Sequence, residues 1–577
     1  MILQALTSLY EALAQKGEIS KEGWSREKIS FALGIDENGD LLRITPLFET
    51  VDGPKGKTRE VPQKMTVPIK VGNTSPKFLW GNSGFILGTA NDKTPEAAKD
   101  CFKRNRDLHH EVLKGIEVPA AKAILSFFDR WEPEKTLENE LVTSCAGELL
   151  GKANMVFRFN GKFIHEIPQL AAAWQAHYGE TAKERGQCLI TGALDAIPNT
   201  HPLIKGVQGA QSSGAALVSF NASAFCSYNK EQNQNAPVGK YAAFAYTAAL
   251  NHLLADRKNV HRIGDAAVVC WAENADKQYE EFAADLFFGD GDGDQSDEQR
   301  LSALQASVEL LAKGLPCREL DLDPERKFYI LGISPNAARL AVRFFYCDSF
   351  GNIVKNIKAH YDRLEIVRPS YDKFPILPLW KLLSATVNPN AKDKTPNAAM
   401  AGAVARAVFS GGRYPASLLE CTFLRIKAER NITRERAAII KAYYLRNPNE
   451  KCPKEVLTVS LNENSKNIPY TLGRLFSVYE EIQQAANPGI NTTIKDRYFG
   501  SAAAMPATVF PILSNLAQKH LRKLSDAQRV YLDKKVMTLK SVLGEQYPAH
   551  MSLPEQGSFD LGYYHQTQAR YTKKEDK

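Results

Sequence analysis

No two of the nine cysteines in this 577-residue chain lie close enough to form a metal half-site. Cys101, Cys145, Cys188, Cys226, Cys270, Cys317, Cys347, Cys421 and Cys452 are scattered singly, which excludes the paired C-x-x-C of zinc knuckles and redox motifs. An odd, dispersed set of thiols suits a reducing, cytoplasmic compartment. Long hydrophobic runs are missing too. Nothing approaches the ~18 apolar residues that a membrane span requires. The opening MILQALTSLYEALAQKGEI lacks the basic first region of a secretory signal, and its leucines are spaced like an amphipathic helix. No excess charge of one sign dominates: 73 Lys+Arg against 65 Asp+Glu leave +8. Any nucleic-acid footprint must therefore come from local clustering.

Catalytic patterns are equally scarce. The chain has no G-x-S-x-G elbow, H-E-x-x-H helix, Walker A loop or His-Asp doublet. His109 and His110 are adjacent, so on a helix they diverge by about 100° and do not converge on a metal; both read as surface histidines. The acidic run FFGDGDGDQSDEQR resembles a calcium loop only superficially. Counted from Asp290, its sixth position is Gln295 rather than Gly and its twelfth is Leu301 rather than Glu. It reads as an acidic linker near 288–300. The sequence thus nominates no catalytic or metal-ligating residue and no cofactor, and it argues for a binding protein over an enzyme.

What the chain does have is a crowd of small and amide residues in 187–254. Cys188–Ile190 and Ala216–Phe220 read as short strands around a glycine-rich segment, Gly206 to Gly214. Five carboxamides follow, Asn229, Gln232, Asn233, Gln234 and Asn235, and then an alanine-rich helix over 240–254. Amides offer donors and acceptors without charge, and glycines let backbone approach a ligand, a combination suited to base edges or a phosphodiester.

Elsewhere the patterning predicts a helix over 1–16, then a β-rich stretch over 28–90 with a hairpin at Asp36–Asp40. That stretch contains a basic loop, with Lys64, Lys70 and Lys77 among Gly72, Asn73, Thr74, Ser75 and Pro76. Residues 94–130 read as helical and carry Lys103, Arg104 and Arg106. A second hairpin is expected at Asn160–Gly161, and a strand in VHRIGDAAVVCWAE. Strand, loop, strand and helix are expected over 326–364, where the aromatic doublets read as core. From 374 the pattern is helical. Residues 425–446 hold seven Lys/Arg against Glu429 and Glu435, with a helix boundary between Arg430 and Thr433. Four more helices are expected between 469 and 545, and the terminal KKEDK reads as disordered. The fold class is α+β: a mixed α/β region over 1–370, a basic helical connector over 371–450, and a helical bundle over 451–577.

Several long segments resemble one family. MILQALTSLYEAL, HPLIKGVQGAQSSGAALVSFNASAFCSYNKEQNQNAPVGKYAAFAYTAALNHLL, YTLGRLFSVYEEIQQAANPGINTTIKDRYFGSA and EQGSFDLGYYHQTQ are similar to the large subunit of the type I-C CRISPR Cascade surveillance complex. The resemblance spans nearly the whole chain. It implies a non-catalytic, cytoplasmic subunit that recognises a protospacer-adjacent motif in double-stranded DNA, promotes opening and R-loop formation, and holds the displaced strand. The implied partners are a guide-RNA ribonucleoprotein, the backbone, guide-end-capping and small subunits, and a helicase-nuclease. Protein reads the short motif while base pairing reads the rest. The alternative is a metal-dependent nuclease of the same defence system. No individual reading residue carries over from the resemblance. The residues themselves nominate Lys70, Gly72, Asn73 and Lys77 for phosphate or minor-groove contact. They nominate Gln211, Ser212, Ser213, Asn221, Asn233, Gln234 and Asn235 for base edges or a wedge. Lys103, Arg104, Arg434, Arg436 and Lys441 are the expected nucleic-acid backbone track.

Overall fold

The amphipathic start forms a helix, Ile2–Gln15, which buries Leu6, Leu9, Tyr10 and Leu13 on one face, as the leucine spacing predicts. The computed structural model describes residues 1–52, 58–69, 75–151, 153–180, 185–256, 259–288, 298–372 and 374–571. About half the chain is helical and 16% is strand, with mixed α/β structure first and helices last, so the α+β reading holds. The described chain falls into two compact units. One holds Leu3–Pro202 and Ser219–Ala249; the other holds Leu203–Val218 and the chain from Leu250. The acidic segment 289–297 and residues 572–577, including KKEDK, lie outside the described residues.

In the first unit, β1 (Trp24–Ile29), β2 (Phe31–Ile35), β3 (Leu41–Pro46), β4 (Phe48–Asp52), β5 (Thr58–Pro68), β6 (Trp80–Asn82), β7 (Asn154–Phe159) and β8 (Lys162–Phe163) make two sheets. The larger runs β3-β2-β7-β6, with β8 paired to β7 and β2 parallel to β7. Both expected hairpins form. At the first, Asp36 Oδ1 accepts from the Asn38 and Asp40 N–H groups at 2.9 and 2.8 Å. At the second, Asn160 and Gly161 both take positive φ, 47° and 80°, as a two-residue primed turn requires. The helices Pro95–Val112 and Pro119–Arg130 contribute Phe102, Ile124, Phe127 and Phe128 to one core with Phe31, Leu33 and Phe157 of the sheet.

That core corrects one expectation. His109 is fully buried, not superficial. Its Nε2 accepts from the Leu79 N–H at 2.9 Å, and its Nδ1–H donates to Asn105 O at 2.7 Å. Asn105 Oδ1 in turn accepts from the Lys77 N–H. Two polar side chains on one helix thus hold the 77–79 segment in place. His110 is exposed and pairs with Asp129. In the 187–254 block the expected strand over 188–190 is instead a turn. It lies in the loop of a small hairpin of β9 (Arg185–Gln187) and β10 (Leu194–Ala196), and Leu189 is exposed. The alanine-rich helix is present as Lys240–Ala255.

The second unit carries an antiparallel sheet of β11 (His261–Ile263), β12 (Ala266–Ala272), β13 (Lys327–Asn336) and β14 (Arg339–Ser349). The expected strand of VHRIGDAAVVCWAE is therefore a hairpin turning at Gly264-Asp265. Phe328 and Phe344 enter the core, while Trp271, Tyr329 and Phe345 stack on the other face of the sheet. A continuous core joins this sheet to the helices that follow, from Ile263 to Tyr564. It crosses both positions, 370 and 450, where the sequence suggested boundaries. The four C-terminal helices form near their expected bounds, and a fifth, Leu553–Ala569, is added. The fifth lies against Ile468–Ala486 so closely that a methyl group at Gly473 would strike the Phe559 carbonyl, and one at Gly562 the Tyr470 carbonyl.

Burial lowers the His109 pKa from 6.5 to about 4, so the ring is neutral at pH 7. Protonation would also set an N–H against the Leu79 N–H. The unfolded chain binds the proton first, so stability is lost as pH falls from about 6.5 towards 4, by about 3 kcal/mol at full development. Thermal unfolding at pH 7 and pH 5 is expected to show a lower midpoint at pH 5. The drop should be smaller in His109→Gln, whose amide oxygen still accepts the Leu79 N–H.

Candidate nucleic-acid interface

A sheet with one polar face follows from the register of β1 and β5. Trp24, Arg26 and Lys28 sit opposite Pro68, Thr66 and Lys64. Side chains alternate along a strand, so these six share one face. The opposite face sends Ile29, Met65 and Val67 into a small core with Trp80 and Val156. Arg26, Lys28 and Lys64 are exposed, and none enters an ion pair or side-chain hydrogen bond among the described residues. Three uncompensated cations on a rigid, twisted sheet are what a phosphodiester needs. Sequence reasoning placed Lys64 in a basic loop but missed Arg26 and Lys28. The alternation of WSREKI carries that signal, once its pairing with 63–68 is known.

The basic loop itself fares differently. Lys70, Gly72 and Asn73 lie outside the described residues. Lys77 is buried, with its ammonium 4.6 Å from the Trp80 ring centroid and 5.2 Å from that of Phe85. It is a core cation–π residue rather than a groove contact.

The amide block divides between the two units. In the first, Asn233 is buried and its amide is fully used. Its Nδ2 donates to Pro198 O and Val238 O at 3.0 and 3.1 Å, which fixes Oδ1 as the atom facing His201 Nε2 at 2.9 Å. His201 therefore carries its proton on Nε2, and Nδ1 accepts from the Tyr246 hydroxyl at 2.6 Å. Burial lowers the His201 pKa, which keeps this neutral form. The relay ties residues 198–201, the 232–235 turn and the following helix together. Asn235 is also spent on the loop: Oδ1 accepts from the Ser227 N–H, and Nδ2 donates to Lys230 O and Gln232 O. Gln234 Oε1 accepts from the Glu231 N–H. These three amides build the loop instead of projecting from it. What projects is Asn221 and the tip Tyr228-Asn229-Lys230, where Tyr228 is 94% exposed on backbone held at φ 54°.

Gln211, Ser212 and Ser213 belong to the second unit and are exposed at a turn closed by the Gly214 N–H on Gln211 O at 2.9 Å. The expected strand over 216–220 is reduced to single bridges. Ala215 pairs with Ile204 and Ala216 with Arg339 of β14, and these anchor the turn to the sheet edge.

The expected backbone track also divides. Lys103 and Arg104 are exposed on their helix, with Arg104 paired to Asp100 at 2.8 Å. The boundary between Arg430 and Thr433 forms as predicted, between helices Ala416–Glu429 and Arg434–Arg446. The cations beyond it are internal. Arg434 Nη1 donates to Asp372 at 2.9 Å and Nη2 to Pro375 O at 3.0 Å. Arg436 binds Glu429 at 2.7 Å and the carbonyls of Ala385 and Asn431. Lys441 donates to the carbonyls of Arg363 and Glu365 at 3.1 and 2.7 Å, and burial lowers its pKa. All three are buried, so they staple loops to a helix and form no surface track.

No group of three or more His, Cys, Asp or Glu side chains among the described residues is placed to hold a metal ion. No helix of the described chain is long and apolar enough to cross a membrane.

Comparison with known families places the chain among the CRISPR-associated proteins. The family model described as CRISPR-associated protein (Cas_Csd1) matches residues 6–571, and the chain belongs to that family. None of the curated proteins compared matches it.

Breaking a buried ion pair by removing one partner costs about 3–5 kcal/mol. Arg434→Ala is expected to destabilise the second unit by that order in urea unfolding. It should leave the salt dependence of DNA binding by the remaining folded protein unchanged; a flatter dependence would return Arg434 to the surface track.

Proposed function

We propose that this chain is the non-catalytic large subunit of a type I-C Cascade complex. It recognises the protospacer-adjacent motif in double-stranded DNA, promotes R-loop formation, stabilises the displaced strand and helps recruit the helicase-nuclease. Family membership supports the setting. The observation that carries DNA binding is the face bearing Arg26, Lys28 and Lys64, whose charges nothing in the described protein neutralises. Phosphate contacts of this kind position a duplex and carry no sequence information; base-edge contacts must supply the selectivity. Gln211, Ser212, Ser213 and Asn221 are the exposed neutral donors and acceptors that remain for that role. Guide RNA and the backbone, guide-end-capping and small subunits complete the assembly in this reading.

The two contributions separate experimentally. In the assembled complex, the triple variant Arg26→Gln, Lys28→Gln, Lys64→Gln should weaken binding to matched and motif-mutated duplexes alike. Its slope of log affinity against log salt should be shallower by about 3, at ~0.9 per lost phosphate contact. Gln211→Ala with Asn221→Ala should instead narrow the ratio between the two duplexes, each lost base contact being worth ~1–3 kcal/mol. An unchanged slope in the triple variant, with an unchanged ratio in the double, would overturn the reading.

A further inference from the structure

The second unit carries a lobe of its own over residues 203–218. Its two arms are joined by the Ile204–Ala215 bridge, each residue donating its N–H to the other's carbonyl at 2.9 and 2.8 Å. The lobe is seated at one end of the four-stranded sheet, beside the β13–β14 turn. There the Ala216 N–H donates to Ala338 O and Ala216 O accepts from the Leu340 N–H, both at 2.9 Å. Gly209 packs on Pro335, and Asn251 Oδ1 accepts from the Lys205 N–H at 2.7 Å. Beyond these anchors Gln208, Gly209, Gln211, Ser212 and Ser213 are all exposed. The side chains of Gln211, Ser212 and Ser213 make no hydrogen bond among the described residues. The backbone is tied down while the polar side chains are unspent, the reverse of Asn233 and Asn235.

A cation stands at each end of this exposed run. Lys205 is beside Gly214, where an added methyl group would meet the lysine Cγ at 3.4 Å. Arg262 of β11 is beside Gln208. Its Nε–H donates to Gly264 O at 2.9 Å, and its Nη1 donates to Gln208 Oε1 at 3.1 Å. The first bond fixes the guanidinium to the β11–β12 turn and the second ties it to the lobe. The Nη2 hydrogens have no acceptor among the described residues. Lys205 and Arg262 are both exposed, and neither forms an ion pair there. The Arg262 charge reaches Asp393, an exposed residue between Lys392 and Lys394, without pairing with it. Base-edge contacts need phosphate contacts to set their register. Arg26, Lys28 and Lys64 belong to the first unit, so the turn has its own candidates in Lys205 and Arg262. A projecting neutral tip with a cation at each end suits a duplex groove, whose floor offers donors and acceptors between two phosphate-lined rims. A peptide is held along a cleft or a sheet edge, whereas here the protein supplies the projection. Acidic side chains would also use only the donors of Gln208, Gln211, Ser212 and Ser213 and leave their oxygens unmatched.

We propose that Lys205 and Arg262 contact backbone phosphates on the two rims of the groove that the Gln211–Ser213 turn enters, and that Gln208 is a positioning residue that holds Arg262. This rests on the duplex-reading role proposed above. It makes the turn of the second unit a reader with its own phosphate contacts, independent of the cationic sheet of the first.

The test uses the assembled complex and motif-containing duplexes in which single phosphates are replaced by uncharged methylphosphonates. The wild-type complex is expected to lose affinity at positions on both strands. Lys205→Gln and Arg262→Gln should each become insensitive at its own position. The double variant should show a slope of log affinity against log salt shallower by about 1.8, at ~0.9 per lost contact. Gln208→Leu should weaken binding several-fold with the slope unchanged, and should have no further effect where Arg262 is already Gln; general loosening of the lobe would not give that coupling. Melting curves establish that each variant is folded, as substitution of exposed side chains leads one to expect. An unchanged slope in the folded double variant, or the same methylphosphonate sensitivity in wild type and variants, would overturn the inference. If the Arg26, Lys28, Lys64 variant still shows its shallower slope in that case, the DNA-binding reading stands without it. Failure of the wild-type complex to bind duplex at all overturns both. Binding of poly-glutamate that requires Lys205 and Arg262, with duplex binding indifferent to them, would give this surface to an acidic protein and overturn its assignment to DNA.

Discussion

A charge or amide taken out of water must be matched by a fixed partner, and in this chain that constraint decides which polar residues are free to act. The residue types that suit nucleic acid, arginine, lysine, asparagine and glutamine, also serve to staple backbone that cannot reach a helix or sheet partner. Arg434, Arg436 and Lys441 satisfy carbonyls at 375, 385, 431, 363 and 365. Asn233 satisfies two more and holds His201 in one tautomer. Long loops without regular structure need such clamps, because their backbone groups have no ladder of their own. The amide block of 187–254 is loop over much of its length, and several of its amides are spent on that loop.

Local signals in the sequence were therefore good guides to element boundaries and poor guides to the interface. The hairpins at Asp36–Asp40 and Asn160–Gly161 and the break between Arg430 and Thr433 depend on a few adjacent residues, and those residues state them plainly. Arg430 even adopts a left-handed φ of 50° at its helix end. The helix Leu553–Ala569 escaped because it is buried on nearly every side, with Gln556, Ser558, Asp560 and His565 as inaccessible as Phe559 and Leu561. Such a helix has no apolar stripe to detect. His109 was recoverable: it stands in register with Ala98, Cys101, Phe102, Asn105 and Val112, all buried. That spacing outweighs the polar character of one ring. Residues 434–444 held a similar warning, since Ala437 to Ile440 leave the helix no exposed face for its cations.

The candidate interface was hidden for the opposite reason. Arg26 and Lys28 are ordinary residues of a short strand, and Lys64 is nearly forty positions away. Only the antiparallel pairing of β1 with β5 turns them into one patch, and period-two alternation then assigns Ile29, Met65 and Val67 to the core behind it. Pairing partners distant in sequence cannot be derived from composition or spacing along either segment alone.

Net charge explains why this patch matters more than its size suggests. With +8 spread over 577 residues, the far field of the protein is weak. Cations without partners then dominate the local potential, because screening over roughly 8 Å at physiological salt removes the influence of distant charges. A weak overall field with a concentrated patch favours engagement of a polyanion at one defined place. A strongly basic protein would instead coat any duplex it met. Arg434, Arg436 and Lys441, held inside the second unit, add nothing to non-specific attraction at its surface.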